Sequence, residues 1–319
     1  MKKLFAYVLA FLPSVTFAES VQVGDITYYY RVIGDGVEIA NPYDLGGSWP
    51  QTPLGDDFAV PETIDGKPVV SIGDNAFGGA NVNSLSVPDS VTNIGVSAIG
   101  GAGISEFKIP SKLVRIGARA FSGCGYLTEL ELPSSLKIIE EGAFSASGLT
   151  KLSLPDGITE IPPDMCDGCS SLREIHIPES VTNIGWRAFY GTGLTSLEFP
   201  DGVEVIEEMT CANCFDLNEL YLPSKVKVIR RDAFSGCQSL WGVSIPNTIE
   251  VLEEDAFYEC GSAIENVEIS SKMAVFDFSA FRHTQVYHVK ILSEDTFITR
   301  TESWSGNDWV MVSEVTVPW

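Results

Sequence analysis

Pro88, Pro110, Pro133, Pro155, Pro178, Pro200, Pro223 and Pro246 follow one another at intervals of 22 or 23 residues. Ser270 takes the next place, 24 residues on. Pro61 starts the series with a first unit lengthened by "ETIDGK". A period held this tightly over eight steps means one small unit stacked on copies of itself, because a single copy cannot bury its own apolar face.

Aligning the units on the proline shows what each position does. Three before it stand Leu85, Phe107, Leu130, Leu152, Ile175, Leu197, Leu220 and Val243. One before it stand Val87, Ile109, Leu132, Leu154, Ile177, Phe199, Leu222 and Ile245, and the residues between are mostly polar. That alternation predicts a short strand with one buried face, ended by a proline that has no N–H to give. After the proline come Val or Leu at plus three, Ile at plus six, and Ala-Phe at plus ten and eleven, as in Ala120-Phe121 and Ala233-Phe234. Periodicity over so few residues leaves open whether this second half is a helical turn or irregular. Stacking at about 4.8 Å per coil gives roughly ten coils a length of about 45–50 Å.

The pattern L-x-x-L-x-[LI]-P, then [VL]-x-x-I-G and A-F-x-x-C, is read here in "LTELELP", "VTNIG" and "AFSGC". It resembles the BspA-like (Treponema pallidum type) branch of the leucine-rich repeats, over about residues 62–284. The chain departs from commoner leucine-rich repeats in having proline, not an asparagine ladder, after the strand. The expected fold is thus a repeat solenoid, a leucine-rich-repeat superhelix that is mainly β, with short turns or helical segments on the convex side and a cap at each end. The resemblance implies a curved right-handed solenoid in a surface or secreted protein, often of host-associated bacteria or parasitic protists, with a role in adhesion or protein binding.

The flanks read differently. Residues 1–18 have the form of a signal peptide: Lys2 and Lys3, an apolar run over 4–12, then Thr16-Phe17-Ala18 before an expected cleavage after Ala18. Residues 19–60 do not repeat. They predict a β-hairpin around Gly34-Asp35-Gly36 that caps the first coil, followed by a loop marked by Pro42, Gly46, Gly47, Pro50 and Pro53. Repeats occupy 61–284. Residues 285–319 lose the period and read as a C-terminal β cap or the start of a further domain. No run after the leader is long and apolar enough for a spanning helix. The expected location is therefore secreted or cell surface. A formal charge of −23 repels phosphate backbones and anionic membranes, which argues against nucleic-acid partners.

One motif invites a metal: Cys166-x-x-Cys169 with Cys211-x-x-Cys214. In register the two pairs fall two coils apart, about 10 Å by strand stacking, which one zinc ion cannot bridge with thiolate bonds of about 2.3 Å. The cysteines read instead as small core residues at plus eleven and plus fourteen, with disulfides an open alternative in an oxidising compartment. The 22-residue units carry Ala102, Ser147 and Thr192 at plus fourteen, each followed by glycine, as if the shorter turn needed glycine's conformational freedom. Three histidines and no nucleophile, zinc-protease or phosphate-loop motif point away from catalysis, and no cofactor is expected.

What varies along the coils is the outward strand face. Two before the proline stand Lys108, Glu131, Ser153, His176, Glu198, Tyr221, Ser244 and, before Ser270, Glu268. Trp241 occupies a place held elsewhere by Thr128, Thr150, Arg173, Thr195 and Asn218. An aromatic in a polar column is either an interface anchor or packing folded over the coil edge. The candidate partner-binding residues are Tyr221 and Trp241, with His176 and Glu198 at the edge of the patch. The expected function is non-enzymatic: an exported binding or adhesion protein recognising host or neighbouring-cell surface proteins or matrix. The alternative is an N-terminal scaffold or binding module of a larger exported enzyme or cell-wall protein.

Overall fold

The computed structural model describes the backbone of residues 19–23, 26–41, 57–261, 264–270, 275–276, 278–284, 286–292, 297–305 and 308–313, with side chains over 19–23, 26–41, 57–261 and 279–284. The expected leader and the loop after Asn41 lie outside the described residues. The molecule is a β-solenoid of about nine coils. One apolar core runs its length, from Tyr28 and Tyr30 to Ala280 and Phe281.

Each coil has three sides. The first is the strand before the proline: Asp57–Ala59, Ser84–Ser86, Glu106–Lys108, Lys151–Ser153, Glu174–His176, Ser196–Glu198 and Glu219–Tyr221. Its inward residues are largely buried and its outward ones largely exposed, as in the exposed–buried–exposed pattern of Glu219–Tyr221. The second is a two-residue strand ending at plus six, from Asn93–Ile94 to Val251–Leu252. Parallel pairing keeps each row in register, Arg115 opposite Asn93 and Ile116 opposite Ile94.

The third side resolves what periodicity left open: it is a chain of turns, not a helix. Among the described residues the only helical segment is a 3-10 turn, Phe278–Phe281. The turns follow one pattern, in which the bonds across to the next coil are made in every coil and the bonds back within the coil in most. Amides at plus ten, twelve and fourteen bond back within the coil, as Ala120 does to the Gly117 carbonyl, Ser122 to Arg119 and Cys124 to Phe121. Amides at plus nine, eleven and thirteen bond across to the next coil, as Arg119 does to Glu141, Phe121 to Ala143 and Gly123 to Ser145.

This alternation depends on left-handed backbone at two places per coil. At plus nine, Ser97, Arg119, Gly142, Asp164, Arg187, Met209, Asp232 and Asp255 have φ between +50° and +63°. At plus thirteen the left-handed residues include Gly101, Gly123, Gly168, Gly191 and Gly236, with Ala146, Asn213 and Glu259 filling the same place. A side chain there costs about 1–2 kcal/mol, so the repeated geometry is held against local strain by the bonds it makes possible.

The core follows the columns. Phe121 stacks on Phe144 at 5.9 Å, Phe234 on Phe257 at 5.1 Å and Phe257 on Phe281 at 5.7 Å. In the coil where Cys211 replaces the phenylalanine, Phe199 stands before the proline and makes an edge contact with Phe234 at 6.3 Å. A large residue from one side of the coil makes up for a small one from another.

At the N-terminal end, β1 (Glu19–Val23), β2 (Ile26–Ile33) and β3 (Gly36–Ile39) form an antiparallel meander. Gly34 is left-handed in the turn between β2 and β3, and β3 joins the second row parallel to Lys67–Ile72. Tyr30 is buried there with its hydroxyl within hydrogen-bond reach of the Glu19 and Asp65 carboxylates; the bond to Asp65, then burial, push its pKa up. At the other end, strands Ile264–Ser270 and Val286–Leu292 continue the first row in parallel. Phe297–Ser305 and Asp308–Ser313 then turn antiparallel.

The glycine at plus fifteen of the short coils has a different cause from the one expected. Gly103, Gly148 and Gly193 are not left-handed. Gly148 donates its N–H to the Cys124 carbonyl, and a Cβ on it would lie 2.2 Å from the Gly125 oxygen. At Gly148, and at Gly193 where a Cβ would lie 2.4 Å from the Ser170 oxygen, the need is for close backbone approach rather than for freedom of φ, whereas a Cβ on Gly103 would meet nothing nearer than 3.9 Å. Gly101 is the opposite case, left-handed with open space where a Cβ would go. Thermal unfolding of the two alanine variants should separate these causes: Gly101→Ala losing about 1 kcal/mol, and Gly148→Ala losing more, up to about 3 kcal/mol, from overpacking.

Candidate binding surface

Tyr221 ends the strand Glu219–Tyr221 and pairs in register with Glu198 of the preceding coil. It is 55% exposed, and its hydroxyl reaches only Glu219, at 3.4 Å. Trp241 is 59% exposed; its backbone N–H meets the Asn218 carbonyl at 3.4 Å. Its side chain therefore lies in solvent rather than folded into the coil edge. His176 is exposed and pairs in register with Ser153. No ladder pairing joins Glu174–His176 to Ser196–Glu198, so His176 and Glu198 stand on either side of a break.

That break is one of several. The strand row falls into separate sheets ending at Glu106–Lys108, at Glu174–His176 and at Glu219–Tyr221. Between the first and second, residues 129–131 belong to no sheet, and no backbone hydrogen bond joins them to either neighbouring coil. The second row breaks beside this place. At most other steps the residue at plus seven donates to the Ile of the preceding coil, as Gly117 does to Ile94 and Glu140 to Ile116; at this step the residue is Pro162, which has no N–H.

Over the bare strand lies an open groove of about 860 Å³, lined by Glu129, Leu130, Glu131, Leu132, Lys151 and Arg173 among others. A second hollow, about 600 Å³, adjoins it through the shared Glu129 and carries Glu106, Lys108 and the 72% exposed Tyr126. Lys151 is engaged by Glu174 at 2.7 Å. Arg173 reaches Asp216 at 3.4 Å and also donates to the Ser170 and Gly193 carbonyls. Glu129 and Glu131 have no cationic partner among the described residues. Sequence reasoning placed Glu131 in the outward column but had no signal that this strand would lose its ladder.

The turn side holds a different cluster. Arg187 lies between Asp164 and Asp167, at 3.3 and 2.9 Å, with its guanidinium 4.1 Å from the centre of the Tyr190 ring. Its charge is met within the cluster, which ties coil to coil.

The cysteines are buried and unbridged. At plus fourteen each thiol donates to the carbonyl at plus eleven of the coil before it: Cys124 to Ile99, Cys169 to Phe144, Cys214 to Phe189, Cys237 to Cys211 and Cys260 to Phe234. Thr284 makes the same bond to Phe257 through its hydroxyl, at 2.5 Å. The column therefore reads as S–H and O–H donors stapling coil to coil. Between the two C-x-x-C pairs stands the coil of Phe189 and Thr192, with Thr192 against Cys214 at 3.2 Å. Among the described residues no group of three or more His, Cys, Asp or Glu is placed to hold a metal ion, and no helix is long and apolar enough to cross a membrane.

The repeat and its geometry match a known family. A family model described as BspA type leucine rich repeat region, in six copies, covers residues 63–113, 100–217 and 205–304. The chain belongs to the BspA-type leucine-rich repeat family. Among solved structures it is similar to a leucine-rich cell surface protein from Faecalibacterium prausnitzii, with 20% identity and a TM-score of 0.49 over 86% of this chain and 95% of that one. It is also similar to the T. pallidum leucine-rich repeat protein, with 29% identity and a TM-score of 0.47 over 72% and 90% of the two chains. The pneumococcal vaccine antigen PcpA is 17% identical, with a TM-score of 0.48 over 86% and 94%. No curated protein matches the chain by sequence.

Burial pushes the Cys124 thiol up to about 11. A thiol whose pKa is higher folded than unfolded stabilises the fold below its unfolded value, and this is lost as pH rises through the folded one. Stability should therefore decline between pH about 9 and about 11. At pH 8 a thiol reagent should leave all seven cysteines unmodified in the folded chain and label all seven in guanidinium. Rapid labelling of the folded chain would contradict the buried staple.

Proposed function

We propose that this chain is an exported, non-enzymatic binding protein that recognises protein partners on cell or matrix surfaces with the outward face of its strand row. The observation that carries this reading is the exposure of Tyr221 and Trp241, large aromatics on two successive coils in columns that are otherwise mainly polar or charged. Aromatic rings fixed on a rigid framework lose little entropy on binding and give up much surface to water before it, so they serve as anchors. Glu198, opposite Tyr221 in the ladder, supplies a polar edge, and His176 lies beyond the break.

In this reading residues 1–18 direct export and are removed. The meander of β1–β3 caps one end of the stack, and the antiparallel strands after Val286–Leu292 cap the other. Capping protects the terminal coils, whose apolar ends would otherwise face water.

The test uses the folded chain without its leader and a Tyr221→Ala/Trp241→Ala double variant, compared for capture of cell-surface and matrix proteins. Both side chains are exposed, so unfolding should shift by no more than about 0.5 kcal/mol. Binding should fall at least about thirtyfold, the effect of losing an interface anchor worth about 2 kcal/mol. Unchanged capture by a folded double variant would contradict the patch.

A further inference from the structure

We propose that the gap at residues 129–131 is a docking slot for an extended, lysine- or arginine-rich segment of a partner protein. The proposal rests on the reading of the outward strand face as a recognition surface, and adds to it a second place on that face and the chemistry of what binds there.

Three observations converge on the slot. The main chain is open: residues 129–132 donate no hydrogen bond to the protein, while the next strand, Lys151–Ser153, is paired along its length with Glu174–His176. An extended segment can satisfy such groups by adding its own backbone, the way strands are recruited at sheet edges. The groove has an apolar floor as well, where Leu130, Leu132, Leu154 and Pro155 line about 860 Å³. Alternate side chains of a strand can rest on that floor while the others point to the rim.

Charge then selects the segment. Among the described residues Glu129 and Glu131 are unpaired, and Glu106 in the adjoining hollow is a third acid without an ion pair. The cations nearby are Lys151 and Arg173, both engaged as described, and Lys108, which is outnumbered. Tyr126 rises beside the slot with 72% of its surface exposed, a ring face on which a guanidinium or ammonium can stack. An acidic segment or a nucleic-acid strand would meet uncompensated carboxylates here, within a chain of formal charge −23.

Fluorescence anisotropy with capped peptides on the folded, leaderless chain tests the slot. The probe alternates lysine and threonine; its counterparts replace lysine by glutamate, or carry N-methyl groups along one backbone edge. The lysine probe should bind and the glutamate probe should not, and N-methylation should weaken binding at least threefold. Glu129→Gln/Glu131→Gln should weaken the lysine probe about tenfold, and Glu129→Lys/Glu131→Lys should abolish it. A charge-matched Glu208→Lys/Glu250→Lys control, with both sites exposed elsewhere on the coils, should change binding less than twofold.

Failure of the lysine probe to bind would overturn the proposal. So would equal losses in the slot and control variants, which would mean attraction to net charge alone. Binding indifferent to N-methylation would overturn the main-chain part. Capture of surface proteins by the Tyr221/Trp241 face is read separately, so the slot can fail while that reading stands, and the reverse.

Discussion

The structure depends on the hydrogen bonds that the turns make between coils. Three amides per coil, at plus nine, eleven and thirteen, bond to the next coil at 2.7–3.3 Å through nine successive steps, from Asn75, Phe77 and Gly79 to Asp255, Phe257 and Glu259. Neither strand row achieves this continuity: the first breaks beside 129–131 and again before Ser196–Glu198 and Ser244–Ile245, and the second breaks at Pro162 and once more after Asn183–Ile184. The side that looks least regular in sequence is therefore the one that sets the pitch. Individually such bonds contribute about 1 kcal/mol net. Their effect is cumulative, because each coil is ordered only by its neighbours.

A continuous turn row changes what the strand row can do. Where the spine carries the stack, a strand can leave its ladder without ending the solenoid, and its backbone and outward side chains become available for recognition. The step around Pro133 shows this most fully. The first row is unpaired at 129–131 and the second row is unpaired from Ile138–Ile139 to Glu160–Ile161, yet Gly142, Phe144 and Ala146 still bond to Pro163, Met165 and Asp167. The groove of about 860 Å³ lies over this seam.

Much of this was legible in the residues. The proline period fixes the coil length, and the alternation before each proline gives the strand and its buried side. The aligned columns also identify the cysteines as core. The turn geometry was not legible, because left-handed backbone is taken here by Arg119, Asp164, Arg187 and Met209 as well as by glycine, so no residue type marks the position. Gly148 misled for a related reason: a glycine signals a missing Cβ, and only coordinates distinguish a need for positive φ from a near approach to Gly125. Tyr221 and Trp241 stood out because an aromatic in a polar column is visible in one dimension. The groove at 129–131 did not, since an absent ladder leaves no mark on the residues that lack it.

Amide hydrogen exchange on the folded chain tests the central claim, that the turns rather than the strands carry the stack. Around the coil of Pro110 and its successor, the account predicts slow exchange at Arg119, Phe121 and Gly123, which bond across at 2.8–2.9 Å. It predicts fast exchange at residues 129–132 and intermediate or slow exchange in Lys151–Ser153. Protection at 129–132 equal to that of Lys151–Ser153, or fast exchange throughout the turn amides, would contradict it.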